Sequence, residues 1–208
     1  MKKINLNPLK FPTLLLTIIW LVKLFELIFE HDFIIYGVLP RNFSGFRGIF
    51  LSPLIHSDIN HLLRNSLPVF ILCAIIFNFY KQIANKIFIY LYFISGLWLW
   101  CIGRESFHIG ASGLIYSMAS FLFFSGVFRK NTQLSAIALL VIFIYGGLFW
   151  GLFPINQNIS WEGHLTGFIS GTLIAYVYRN DGPKRKKYDW EIDEDLEIND
   201  DDLNHYVN

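Results

Sequence analysis

Apolar residues in this chain gather in long windows that carry almost no charge, separated by shorter gaps rich in polar residues, proline or glycine. A helix needs roughly 20 apolar residues to cross the hydrocarbon core of a bilayer. Six windows reach or approach that length: residues 11–29, 61–79, 86–102, 112–128, 134–153 and 164–178. The pattern predicts an all-α polytopic membrane protein, a bundle of six transmembrane helices. The fourth and sixth windows are short. Such a span starts below the membrane surface or runs on into less apolar residues. Pro40, Pro53, Gly103, Gly110 and Pro154 mark the gaps.

Two stretches stand apart from the windows. Residues 30–60 form a connection too long for a bare loop, apolar and aromatic through Phe43, Phe46, Phe50, Leu51 and Leu54. It is expected to have structure of its own and to dip into the membrane interface. Residues 181–208 are acidic from Asp189 to Asp202 and poor in apolar side chains. Such a segment buries too little surface to fold alone, so it reads as a solvated, disordered cytoplasmic tail behind a membrane domain of residues 1–180. Lys23 and Glu26, inside the first window, stand at i, i+3 and can neutralise each other, a structural pair.

Composition agrees with the windows. Of 208 residues 54% are hydrophobic and 16% charged, where a soluble domain carries about 25% charged residues. The net charge of +1 says little, because a membrane protein sorts its charges by side. With six spans, Lys2, Lys3, Lys10, Lys81, Lys86, Arg129, Lys130, Arg179, Lys184, Arg185, Lys186 and Lys187 share one side, and only Arg41, Arg47 and Arg104 the other. Positive residues favour the cytoplasmic side, so both termini are expected there. The first window has no small-residue cleavage site after it and is read as a retained helix. Cys73 and Cys101 both lie in apolar windows, which points to packing and not to a disulfide. The dispersed basic residues give no reason to expect nucleic acid as a partner. No phosphate-binding loop or cofactor fingerprint is present, and no cofactor is expected.

Polar side chains inside a membrane are costly and point to function. His61 and Asn65 open the second window, Ser112 the fourth and His164 the sixth. Even-numbered spans enter from the same outer side, so three helices bring these groups to one depth at one end of the bundle. Gly110-Ala111-Ser112-Gly113 sets a serine at a helix N-terminus between glycines that permit a tight turn and a close substrate backbone. Free N–H groups and the helix dipole there favour an oxyanion. Serine needs a base to act as nucleophile, and His164 is the candidate. Gly163, Gly167 and Gly171 form a small-xxx-small run that brings the sixth span close to a neighbour. If that neighbour is the fourth span, His164 lands beside Ser112. Tyr116, one turn below Ser112, can hold the imidazole by stacking. His61 and Asn65, at i, i+4, can both donate toward one point.

His56-Ser-Asp-Ile-Asn-His61-Leu-Leu-Arg-Asn65 resembles the HxxxxHxxxN stretch of the rhomboid intramembrane serine proteases. Gly110-Ala-Ser112-Gly113 with Tyr116 resembles their nucleophile motif, and Gly163-His164-Leu-Thr-Gly167-Phe-Ile-Ser-Gly171 their last-helix motif. Order and spacing agree with a bacterial six-helix member over residues 11–180. The resemblance implies a Ser112–His164 dyad and an oxyanion site formed by His61, Asn65 and the Ser112 backbone N–H. It implies no metal and no cofactor. One departure is Phe46-Arg47, where the family often has Trp-Arg. Arg47 can keep that motif's structural role. His56 either orients His61 or is a loop residue.

The resulting expectation is an endopeptidase of the cell membrane, the inner membrane of a bacterium, that cleaves transmembrane protein substrates in the bilayer, with its site open to the extracytoplasmic side. Glu162 faces away from His164 on any helix, so a dyad is expected and not a triad. Two alternatives differ in class. A non-catalytic relative that binds membrane clients would typically lack the serine or the histidine, and both are present. A metalloprotease could use His56, His61, His108 and His164, but the chain has no HExxH motif.

Overall fold

A computed structural model describes residues 7–144, 150–155 and 159–183. The described residues are almost wholly helical, with one isolated antiparallel bridge, Val38 to His108. The principal helices are α1 (Asn7–Phe29), α3 (Ile59–Phe79), α4 (Ala84–Ile102), α5 (Ser112–Phe128), α6 (Thr132–Ile144) and α7 (Trp161–Val177), with a single-turn α2 (Gly48–Leu51) in the first connection.

Each principal helix overlaps one apolar window. Helices α1, α3 and α4 are long and apolar enough to cross a membrane, and α5 is a shorter apolar helix of 17 residues. Helix α1 exposes Leu14, Leu21, Leu24 and Ile28 while burying Leu15 and Ile19. A helix that is apolar on its outer face as well as its inner one suits lipid as its solvent. The fifth window, 134–153, differs from expectation at its end. Trp150–Leu152 form a 3-10 turn and not the last turn of an α-helix. Hydropathy continues unbroken across the change of backbone geometry, so a window of apolar residues does not reveal it. The acidic tail from residue 184 onward, Lys184–Lys187 included, and residues 1–6 lie outside the described residues.

Helix α5 is the central element. It buries Leu114 through Leu122 without a break and packs on α3, α4, α6 and α7. Its closest partner is α7, and α1 packs against α3. The first connection is indeed structured: 3-10 turns at Ile34–Tyr36, Phe43–Arg47 and Ser52–Leu54 flank α2. Its aromatic residues face outward, Phe43 at 93% exposure, with Phe46 and Phe50 also exposed. Arg47 anchors it by donating from Nη2 to the Ile35 carbonyl at 3.1 Å and by lying 4.4 Å from the centre of the Tyr36 ring.

Lys23 ties α1 to the segment that leads into α3. Its ammonium donates to Glu26 Oε2 at 3.0 Å and to the carbonyls of His56 and Ser57 at 2.8 and 3.1 Å. Glu26 Oε1 accepts the Phe33 N–H at 3.0 Å. The pair expected from its i, i+3 spacing is therefore also a clamp on the chain just before His61.

Candidate active site

Asp58 opens α3 as its N-cap, its carboxylate accepting the His61 N–H at 2.8 Å. That bond and one from the Ser57 hydroxyl hold the Asp58 carboxyl below its ordinary pKa. His61 and Asn65 follow on the first turns. Ser112 is the first residue of α5, after Ala111 at the N-cap. His164 stands in the first turn of α7, capped by the Ser160 side chain.

Three helix beginnings thus meet. His164 Nε2 lies 2.8 Å from Ser112 Oγ, and His164 Nδ1 lies 2.8 Å from the Gly151 carbonyl. A carbonyl only accepts, so Nδ1 carries the proton and Nε2 is left bare to accept from the serine hydroxyl. This is the tautomer that a general base requires. Tyr116 lies against the imidazole, ring centres 4.2 Å apart and planes 14° from parallel. His164 is 7% exposed. Glu162 does not approach it; its Oε1 lies 3.5 Å from Arg104 Nη1.

The opposite wall carries donors. Gly110 has a φ of +100°, a conformation that side chains disfavour, and a Cβ there would sit 2.7 Å from His61 Cε1, 2.8 Å from Nε2 and 3.7 Å from Asn65 Nδ2. Both side chains therefore converge on the backbone two residues before Ser112. Asn65 Nδ2 is buried and has no acceptor among the described residues. The Gly110 and Ala111 N–H groups are taken by the Ser52 carbonyl and by His56 Nε2. The N–H of Ser112 lies in the first turn of α5, where a helix supplies no partner. These features suit a developing negative charge on a substrate oxygen.

His56 lies between His61 and the segment that carries Ser112, its Nε2 accepting the Ala111 N–H at 3.4 Å. Its ring meets that of His61 edge-on at 4.9 Å between centres. Burial, reinforced by the neighbouring His61, pulls its pKa down to about 4. Two contributors have no mark in the sequence: the Gly151 carbonyl and Ser57, whose Oγ lies 3.2 Å from His61 Nδ1. His108, considered from the sequence only as a metal ligand, places its Nδ1 2.6 Å from Ser160 Oγ. Beside Ser112 a cleft runs between α4, α5 and α7, lined by Ser52, Ser95, Gly96, His108 and Ser160 among others.

The glycines of α7 set the approach. A Cβ on Gly167 would overlap the Gly113 carbonyl, and one on Gly171 the Ser117 carbonyl and Ser120 hydroxyl. Gly167 and Gly171 thus pack on the serine helix, which supplies the close neighbour that the spacing left open.

Comparison with known proteins identifies the family. The model of the rhomboid domain matches residues 44–181. An uncharacterized protein of Mycobacterium tuberculosis (strain ATCC 25618 / H37Rv) is 32% identical over 183 residues, 81% of this chain and 73% of that protein. An uncharacterized protein of Mycobacterium leprae (strain TN) is 30% identical over 184 residues, 82% of this chain and 70% of that one. A Bacillus subtilis (strain 168) protein named "Putative rhomboid protease YdcA" is 26% identical over 140 residues, 60% of this chain and 63% of that protein. With the family's domain matched over about two thirds of its length and helices fit to cross a membrane, this chain belongs to the rhomboid family of polytopic membrane proteins.

Proposed function

We propose that this protein is an intramembrane serine endopeptidase that cleaves transmembrane protein substrates through a Ser112–His164 dyad. The observation that carries the reading is the 2.8 Å contact from His164 Nε2 to Ser112 Oγ, with Nδ1 engaged by the Gly151 carbonyl. Ser112 Oγ attacks the scissile carbonyl as His164 Nε2 takes its proton. His61, Asn65 and the Ser112 N–H stabilise the oxyanion. His164 then returns the proton to the leaving amine. Water, activated by the same imidazole, releases the acyl-enzyme and restores the serine. Tyr116, Gly167 and Gly171 hold the base in place, Gly110 lets His61 and Asn65 close on the serine segment, and Gly113 lets the start of α7 approach it.

Two of the four histidines of the metal alternative have both ring nitrogens engaged. His164 is committed to Ser112 and Gly151, and His108 to Ser160 and the Arg104 carbonyl. That favours hydrolysis by serine. Six spans, cytoplasmic termini and an extracytoplasmic site in a bacterial inner membrane follow from the apolar windows and the bias of positive residues. A reporter fused after Tyr178 should behave as cytoplasmic. The acidic tail and the bundle are read as separate units, so truncation after Lys187 should leave cleavage intact.

The deciding experiment incubates purified protein in detergent with a panel of single-span membrane proteins and with a fluorophosphonate probe. Wild type should cleave at least one substrate, resist chelators and take the label. Ser112→Ala should do neither of the first and last. A variant lacking Ser112 that still cleaves as wild type does would overturn the reading.

A further inference from the structure

Four residues before Ser112 stands His108, and four residues before His164 stands Ser160. These two side chains also meet, Nδ1 to Oγ at 2.6 Å. The Ser112–His164 contact therefore has a second serine–histidine contact beside it, with the residue types exchanged between the two segments.

Donor and acceptor roles follow from the partners. His108 Nε2 lies 3.0 Å from the Arg104 carbonyl, so Nε2 carries the proton and the bare Nδ1 accepts from the Ser160 hydroxyl. Ser160 Oγ in turn accepts the Gly163 N–H at 3.3 Å as N-cap of α7, and its carbonyl accepts the His164 N–H at 3.2 Å. The His108 backbone exchanges two hydrogen bonds with Val38, at 2.8 and 2.9 Å, which ties in the first connection. Arg104 reaches the same helix start through the Ile159 carbonyl at 3.1 Å and through Glu162. His108 is 3% exposed, and burial lowers its pKa against the raising effect of Glu162 and of its bond to the Arg104 carbonyl, with the Arg104 charge adding to the lowering.

We propose that His108 and Ser160 form a positioning pair that sets the register between the segment carrying Ser112 and the helix carrying His164. The inference rests on the protease reading above. The dyad partners come from segments 52 residues apart, joined at the reacting atoms by one hydrogen bond. A misplacement of about 1 Å there can cost on the order of 100-fold in rate. The second contact lies four residues upstream of the dyad on both segments, and it is anchored at each end by backbone bonds. His108 and Ser160 act through their neighbours and not on the scissile bond.

Both residues also line the cleft beside Ser112. The test therefore uses a small fluorophosphonate probe, whose labelling rate reports serine reactivity without a transmembrane substrate. Full-length protein in detergent is used, with thermal stability measured on the same samples. His108→Leu and Ser160→Ala should each slow labelling about 10- to 100-fold, by the geometric argument. Ser160→Thr, which keeps the hydroxyl, and His108→Asn, which sets an acceptor near the Nδ1 position, should recover most of the rate. The double variant H108L/S160A should be no slower than the slower single, because both remove one interaction. Ser160→Asp keeps a cap acceptor but cannot donate to a neutral imidazole. It should label well while His108 is protonated and progressively worse as rising pH removes that proton, a trend that loss of a helix cap alone would not produce. Wild-type labelling rates in His108→Leu and Ser160→Ala, fully multiplicative losses in the double, or a pH-independent Ser160→Asp would each overturn the inference while leaving the dyad intact. If His108→Leu does not fold, the two Ser160 variants decide alone. A wild type that takes no label, or a Ser112→Ala that does, would sink the dyad reading and this inference with it.

Discussion

The Gly113 carbonyl occupies the space in which a side chain on Gly167 would begin. Gly113 follows the serine and Gly167 lies one turn beyond the histidine, so the separation of the dyad is set by backbone against backbone. Gly167→Val should push α7 off α5 and displace His164. A displacement of about 1 Å costs on the order of 100-fold in rate. Valine is apolar, so insertion into the membrane should be unaffected. Cleavage of a model transmembrane substrate and probe labelling should fall together. Full activity in this variant would mean that the two helices are not held this closely.

The convergence of His61 and Asn65 on Gly110 leads to a graded series. Ser112→Ala should leave no detectable cleavage, and His164→Ala nearly none, because an unassisted hydroxyl is a poor nucleophile at neutral pH. His61→Ala and Asn65→Ala should be milder, each removing one oxyanion donor at a cost of roughly 100- to 1,000-fold in kcat. Their combination should fall short of the product, since both serve one charge. If His61→Ala proved as inert as Ser112→Ala with its fold intact, His61 and not His164 would be the base.

What the sequence reveals and what it hides differ in physical kind. The apolar windows are legible because a bilayer imposes a length on every helix that crosses it. Ser112, His164 and Tyr116 are legible because their helical spacing and flanking glycines are local. The Gly151 carbonyl is not, because every residue type carries that atom and only the 3-10 turn aims it at His164; that a side chain at 151 would run into Tyr116 and His164 is likewise a matter of tertiary contact. The same limit conceals the pairing of His108 with Ser160, which depends on how two loops meet across 52 residues. Helical spacing turns Glu162 away from His164, yet its partner Arg104 is a long-range contact that no spacing foretells.

His56 gives the protein a defined acid sensitivity. Its pKa in the folded protein is about 4, against an ordinary 6.5, chiefly because it is buried. The unfolded chain therefore binds the proton more readily between those values. Stability from this group is fully present above about pH 6.5 and is lost as pH falls toward about 4, by on the order of 3 kcal/mol in total. Thermal unfolding in detergent, followed over that range, should show a falling Tm. His56→Asn should have a shallower slope. An identical slope in the variant would assign the acid sensitivity to other groups.

Lys23 and Glu26 are buried together, at 8% and 6% exposure, and the lysine spends its N–H donors on Glu26 and on the carbonyls of His56 and Ser57. Lys23→Met removes one charge and strands the other. Breaking a buried pair in this way costs roughly 3–5 kcal/mol, because the remaining carboxylate loses its partner in a poorly solvated site. Adding Glu26→Gln should recover much of that stability, since the amide is neutral and its carbonyl can still accept the Phe33 N–H. It should not restore activity to the same degree. The clamp on the His56 and Ser57 carbonyls would still be missing, and with it the support for His61 in the proposed oxyanion site. Comparing Tm with probe-labelling rate across wild type, Lys23→Met and the double variant separates the two roles. A Lys23→Met protein as stable as wild type would show that the ion pair contributes nothing to the fold. A double variant that regains stability and full labelling together would show that the carbonyl clamp does not position the site.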